Sequence, residues 1–267
     1  AAMTADQVAA LSTAQFSKLT STQVGALGTS QIEALTTAQA SVMTTAQAAG
    51  LTTAQIARLE VADQAQLSTA VIASLTNNQL GALSAQQIAD LTTDQAGALT
   101  ANQAAALTTA QLAAMETADF AKLSTSAVAA LTTSQVAALT GDQIGALTTT
   151  QLAKLVSSQI GAIGTSQISS LTTVQAAALT AAQAVGLNTS QIAAMETADA
   201  AKLSTAVIAG LTTIQVGGLT ADQVANLSTT QVAALNSAQL GKLGTAQIEA
   251  LTTAQAAVLT AAQAAGL

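Results

Sequence analysis

Three acidic pairs stand out among the residues whose types and spacing can do chemistry: Glu60/Asp63, Glu116/Asp119 and Glu196/Asp199, each spelling Glu-x-x-Asp. Carboxylates three residues apart share one face of a helix. Grouped in that way they suit a cation or a cationic partner, and calcium is the one cofactor they admit. Calcium takes six to eight oxygen ligands, so two acids per site are few. The plainer alternative is that Asp and Glu suit a helix N-terminus and that these units mark a bend.

The remaining composition offers no reaction chemistry. There is no His and no Cys, and no Gly-rich phosphate loop, so the nucleophile with its base, the metal cluster and the cofactor loop of an active site are all missing. We therefore expect a protein that is not an enzyme and has no small-molecule substrate. Six basic residues scattered singly against a net charge of −7, with two Phe as the only aromatics, leave neither the basic stripe nor the stacking platform of a nucleic-acid binder. The longest apolar run, Ala206 to Leu211, falls far short of the ~18 residues of a membrane span. No leader sequence is visible, and the chain begins in mid-repeat, as a segment of a longer protein would. Lacking Cys, it is compatible with any redox compartment.

What must position the acids is a repeat. A large aliphatic residue recurs at every eighth position, from Met3, Leu11 and Leu19 to Leu259 and Leu267, with no insertion or deletion. Taking it as position 1, the unit reads Leu-Thr-Thr-Ala-Gln-Ile/Val/Ala-Ala-Ala, and 33 units form one continuous array over 1–267. Position 5 is Gln in 27 units, and position 6 is apolar in all but one, where Gln64 stands.

Three backbones compete for this pattern. In a continuous α-helix a strict octad drifts by about 80° per unit, so no apolar stripe forms. A β-solenoid accepts an even period, although Ala and Gln are weak strand residues and no fixed turn residue recurs. The third reading, one short helix per octad stacked into an all-α solenoid, agrees with three separate features. Position 2 is Ser, Thr, Asn or Gly in 29 units, and with Gln three residues later it spells the capping box Thr-x-x-Gln. All six basic residues (Lys18, Arg58, Lys122, Lys154, Lys202, Lys242) fall at position 8, and ten of thirteen acids fall at positions 2, 4 or 5, as the helix dipole favours. Twelve of sixteen glycines lie at positions 7 or 8, where Gly eases a sharp change of direction.

On this reading the helix runs from position 3 to the next position 1, about seven residues and ~10 Å. It turns the residue at position 6 and the following Leu toward a common core. Two aliphatic side chains cannot offset the ordering of a whole octad, so the unit folds only by stacking on its neighbours.

Strings such as Leu51-Thr52-Thr53-Ala54-Gln55-Ile56 and residues 243–251 resemble the Leu-Thr-Thr-x-Gln-Ile/Val octapeptide arrays of very large bacterial cell-surface and adhesin-like proteins. The resemblance covers the whole chain. It implies a secreted or surface-attached stalk or filament and carries over no functional residues.

A longer period overlies the octads. Met115-Glu116-Thr117-Ala118-Asp119 returns ten octads later as Met195-Glu196-Thr197-Ala198-Asp199, and Leu59-Glu60-Val61-Ala62-Asp63 lies seven octads before it. Each copy is followed by a second unit without Gln (Val71, Ala127, Val207). Duplication of ten-octad blocks, one of them shortened, accounts for this. The functional expectation is an extracellular or cell-surface structural module that associates with itself or with neighbouring repeats, as a stalk, surface layer or filament. The alternative is a surface-binding module that presents its repeated face to a glycan or cell, or its Thr arrays to ice. A ladder of Gln side chains between chains is a further route to self-association.

Overall fold

Every octad carries one α-helix. The structure is a computed structural model that describes residues 3–267, and among these residues 33 helices follow one another, from Ala5–Ala9 to Ala261–Ala264, with no strand. The all-α solenoid is thus the form adopted, not the β alternative, and the caps explain why so short a helix holds. Thr100 is typical. Its Oγ1 accepts from the Gln103 N–H at 3.3 Å, while Gln103 Oε1 accepts from the Thr100 N–H at 2.9 Å. Both halves of the capping box satisfy backbone donors that a helix leaves open at its first turn. Where position 2 lacks an oxygen the Gln half survives, as at Val156, whose N–H donates to Gln159 Oε1 at 2.8 Å.

The helices are shorter than the spacing predicts, four to six residues instead of seven. The position-1 residue lies beyond the helix in an extended conformation, as Leu107 does at φ −60°, ψ 140°. Its N–H still closes the last turn, as Leu75 N does on Ile72 O at 3.2 Å. The extended ψ is what lets the chain enter the next N-cap, and it turns the position-1 carbonyl away from its own helix.

The chain divides into two compact units between Leu131 and Thr132. In the first, helix Ser21–Gly25 packs on Thr45–Gly50, which packs on Thr69–Ser74. In the second, Ser157–Ala162 packs on Ala181–Ala184, which packs on Thr205–Gly210. Within each unit, then, nearly every helix stacks on the third one along the chain, and one turn of the solenoid takes three octads. Away from the chain ends, positions 1, 5 and 6 are buried inside each unit, and positions 2 to 4 face outward. Position 6 ranges from Ala40 to Phe16, and both side chains are fully buried. Phe16 lies on the helix that packs on the helix of Ala40, and Phe120 on the one that packs on the helix of Ala96. A large residue opposite a small one keeps the core at solid-like density.

The glycines act differently from the sequence expectation. No described residue, Gly included, has a positive φ, so the change of direction between helices needs no left-handed residue. What several of these positions need is the absence of a side chain. A Cβ on Gly50 would stand 2.3 Å from Ser21 O, one on Gly186 2.0 Å from Ser157 O, and one on Gly266 2.7 Å from Ser237 O. In each case a second glycine (Gly25, Gly161, Gly241) faces the first from the preceding turn of the solenoid. These are backbone-to-backbone crossings between stacked helices, and Ser21, Ser157 and Ser237 are the only serines at position 3 in the chain.

Candidate functional site

The Gln column does more than cap. While Oε1 holds the N-cap of its own helix, Nε2 reaches back to the previous turn and donates to two of its main-chain carbonyls. In the first unit Gln55 donates to Val24 O at 3.1 Å and Leu27 O at 2.7 Å, and Gln103 to Ile72 O and Leu75 O. In the second, Gln183 donates to Leu152 O at 2.8 Å and Leu155 O at 2.9 Å. The acceptors are the position-6 carbonyl at the end of one helix and the turned-out position-1 carbonyl that follows it. One buried side chain therefore seals the N-terminus of its own helix and the C-terminus of another. These amides, 1–8% exposed from Gln31 onward, are occupied within the chain, which leaves little for a Gln ladder between chains.

The capping pattern does not reveal this second role, although the sequence holds a signal for it. Glu serves a capping box as well as Gln, yet position 5 is never Glu. Of the two, only Gln presents a donor as well as an acceptor, and both are needed here.

The Glu-x-x-Asp units interrupt the column: Glu60/Asp63 and Glu116/Asp119 lie on separate helices of the first unit, and Glu196/Asp199 lies in the second. Glu60, Glu116 and Glu196 occupy the N-cap position with exposed side chains that make no cap hydrogen bond. Asp63, Asp119 and Asp199 take the place of the Gln and are 2–3% exposed. An Asp stabilised chiefly by a helix N-terminus would titrate low, and these three do the opposite. Burial, reinforced by the charge of Glu60, pushes the Asp63 carboxyl up to about 6. Asp199 is raised by burial and by Glu196. Asp119 is raised by burial, partly offset by a hydrogen bond from Thr93, with Glu116 adding to the rise. The Oδ2 atoms of Asp63 and Asp199 have no hydrogen-bond partner. Beside Asp63, Gln64 Nε2 donates to Gln87 O at 2.5 Å, while its Oε1 is also unpartnered.

Open clefts lie beside two of these places. One is lined by Glu33, Arg58, Glu60, Ser84 and Gln87, with Arg58 and Glu33 paired across 3.6 Å. The other holds Thr93, Asp94 and Lys122. Among the described residues no three His, Cys, Asp or Glu side chains gather as a metal cluster, and no helix is long and apolar enough to cross a membrane. The threonines divide by role. Those at position 2 accept hydrogen bonds as N-caps, as Thr52 does from Gln55 N, whereas at position 3 Thr45, Thr69 and Thr117 are exposed.

A family model for the ALTTAQ repeat matches residues 1–29, 16–53, 56–93, 112–149, 192–229 and 232–267, which together make up most of the chain. No curated protein matches it.

Proposed function

Because the chain belongs to the ALTTAQ repeat family, a family of tandem repeats with a structural role, we propose that it is an extracellular structural module, a stalk, surface-layer or filament segment that works by supplying length. The observation that carries this reading is the Gln tie, which joins each turn to the one before it within both units. A stalk is loaded across successive turns, and the hydrogen bonds from each buried, doubly anchored Gln oppose their separation. On this reading the protein performs no catalysis and binds no small molecule or nucleic acid, and its partners are neighbouring repeats or further copies of itself. The cell-surface setting rests on the resemblance of the octads to those of bacterial surface proteins.

Solution scattering on the chain and on variants shortened by three or six octads tests the reading. The longest dimension should fall by a constant step for each turn removed. A dimension that does not follow octad number would overturn it, as would failure of antibody or protease to reach the repeats on intact producing cells. A second reading, display of hydroxyls to a regular surface such as ice or a glycan, is favoured by one observation. Thr45 and Thr69 are exposed at position 3, one turn apart on helices of the first unit that pack on each other. Absence of thermal hysteresis and of glycan retention would remove it.

A further inference from the structure

The Glu-x-x-Asp units set an electrostatic problem that the ordinary units do not have. Opposite position 5 stand two carbonyl oxygens of the previous turn. In ordinary units Nε2 of Gln fills the gap and donates to both. In the same register, 31 and 28 residues back, the carbonyls that a Gln would reach are those of Ile32 and Leu35 from position 63, and those of Ile168 and Leu171 from position 199. A carboxylate and a carbonyl are both acceptors, so no hydrogen bond can join them, and a charge left in such surroundings is costly. Yet Oδ2 of Asp63 and of Asp199 is buried there without a partner. At the third unit Asp119 receives the Thr93 hydroxyl instead.

We propose that Asp63 and Asp199 each seat a calcium ion between the carboxylate and the two main-chain carbonyls of the previous turn, with Glu60 and Glu196 completing the charge from the solvent side. The donor set is all oxygen, the mixture of carboxylate and carbonyl that calcium takes at about 2.3–2.6 Å. Charge agrees as well, since two carboxylates balance one divalent ion. So does reach. Asp is one methylene shorter than Gln, roughly 1.5 Å, which leaves room for an ion where Gln places a direct hydrogen bond. Thr37 and Thr173 hold the register position of Thr93, on helices Thr37–Ser41 and Thr173–Ala178 that pack on the two Asp helices, and each offers one more oxygen. At the Asp63 unit the outer carboxylate, Glu60, lines an open cleft.

Titration calorimetry of the full chain with calcium chloride at pH 7.5 tests this, with thermal midpoints followed by circular dichroism. We expect two calcium ions per chain, one lost in Asp63→Gln, one in Asp199→Gln and both in the double variant. Gln is the ordinary residue at this position, so these variants keep the fold, and retained helicity verifies that. Asp119→Gln should leave both ions bound. The proposal is overturned if calcium gives neither heat nor a midpoint shift, if the double variant still binds it, or if sodium chloride of equal ionic strength produces the same shift.

Discussion

The side chain of Gln103 is anchored at both ends, its Oε1 on the Thr100 N–H and its Nε2 on the Leu75 carbonyl of the previous turn at 2.9 Å. The two bonds separate what a capping box needs from what the solenoid needs. Gln103→Glu keeps the cap acceptor, removes both donors and turns an anionic oxygen toward the carbonyls of Ile72 and Leu75. Leaving buried acceptors without donors costs about 1–3 kcal/mol, and an unpaired buried charge adds to that. Hydrogen exchange should show faster opening around residues 72–75 and 100–103. Gln7→Glu is the control, because Gln7 is exposed and caps its own helix through Thr4. That change should stay within about 0.5 kcal/mol. Equal effects at the two positions would mean that the tie contributes nothing beyond the cap.

Much of the local structure was legible from the octad because capping is local. Thr-x-x-Gln specifies its bonds within a single helical turn, and the basic residues at position 8 mark the helix end. The number of octads per turn was not legible, since it depends on how position-6 volumes and the glycines at positions 7 and 8 mesh between turns. The glycines show the difference. Their positions are plain in the sequence, but whether Gly186 is there for its φ or for the 2.0 Å that separates its missing Cβ from Ser157 O is decided in another turn of the solenoid. The acidic pairs are legible from spacing alone. That Asp63 is buried and Glu60 exposed followed only once position 5 was known to face the previous turn.

Stability should fall as pH rises through the range in which Asp63 ionises. Its carboxyl titrates at about 6 in the folded chain against 3.8 for the free side chain, so between these values the folded state binds more protons than the unfolded state. Linkage then requires stability to decrease as pH rises from about 4 to above 6. The cost at neutral pH is fully relieved only below the unfolded value. For Asp63 alone it is about 3 kcal/mol, and Asp119 and Asp199 act in the same direction. In chelator-containing buffer the urea midpoint should be higher at pH 4.5 than at pH 7.5, and this difference should shrink in the Asp63→Gln, Asp119→Gln, Asp199→Gln triple variant. An unchanged difference in the triple variant would place the dependence on other carboxylates.

Glycine substitution should change sign with position. Gly186→Ala drives a methyl group into the Ser157 carbonyl. Overpacking between backbones that cannot yield costs about 1–3 kcal/mol. A Cβ on Gly81 meets nothing within 4 Å, and since Gly81 ends the helix Asn77–Gly81, Ala there should stabilise by roughly 0.5–1 kcal/mol. Thermal midpoints of the two single variants, read at the same pH, decide the matter. Both falling together would show that the glycines serve backbone conformation after all.

The pairing of Phe120 with Ala96 makes a prediction about coupling. Both side chains are fully buried at position 6, on helices Thr117–Phe120 and Thr93–Gly97, which pack together one turn apart. Phe120→Ala opens a cavity and should cost about 3–5 kcal/mol. Ala96→Leu forces extra volume into a filled space and should cost about 1–3 kcal/mol. Made together, the new Leu can occupy what Phe vacates, so the double variant should be more stable than the sum of the two losses implies, by about 1 kcal/mol or more. Denaturant titration of the four proteins supplies the cycle. Strict additivity would mean that the two residues do not share a space, and the volume exchange between turns inferred from Phe16 with Ala40 and Phe120 with Ala96 would fall with it.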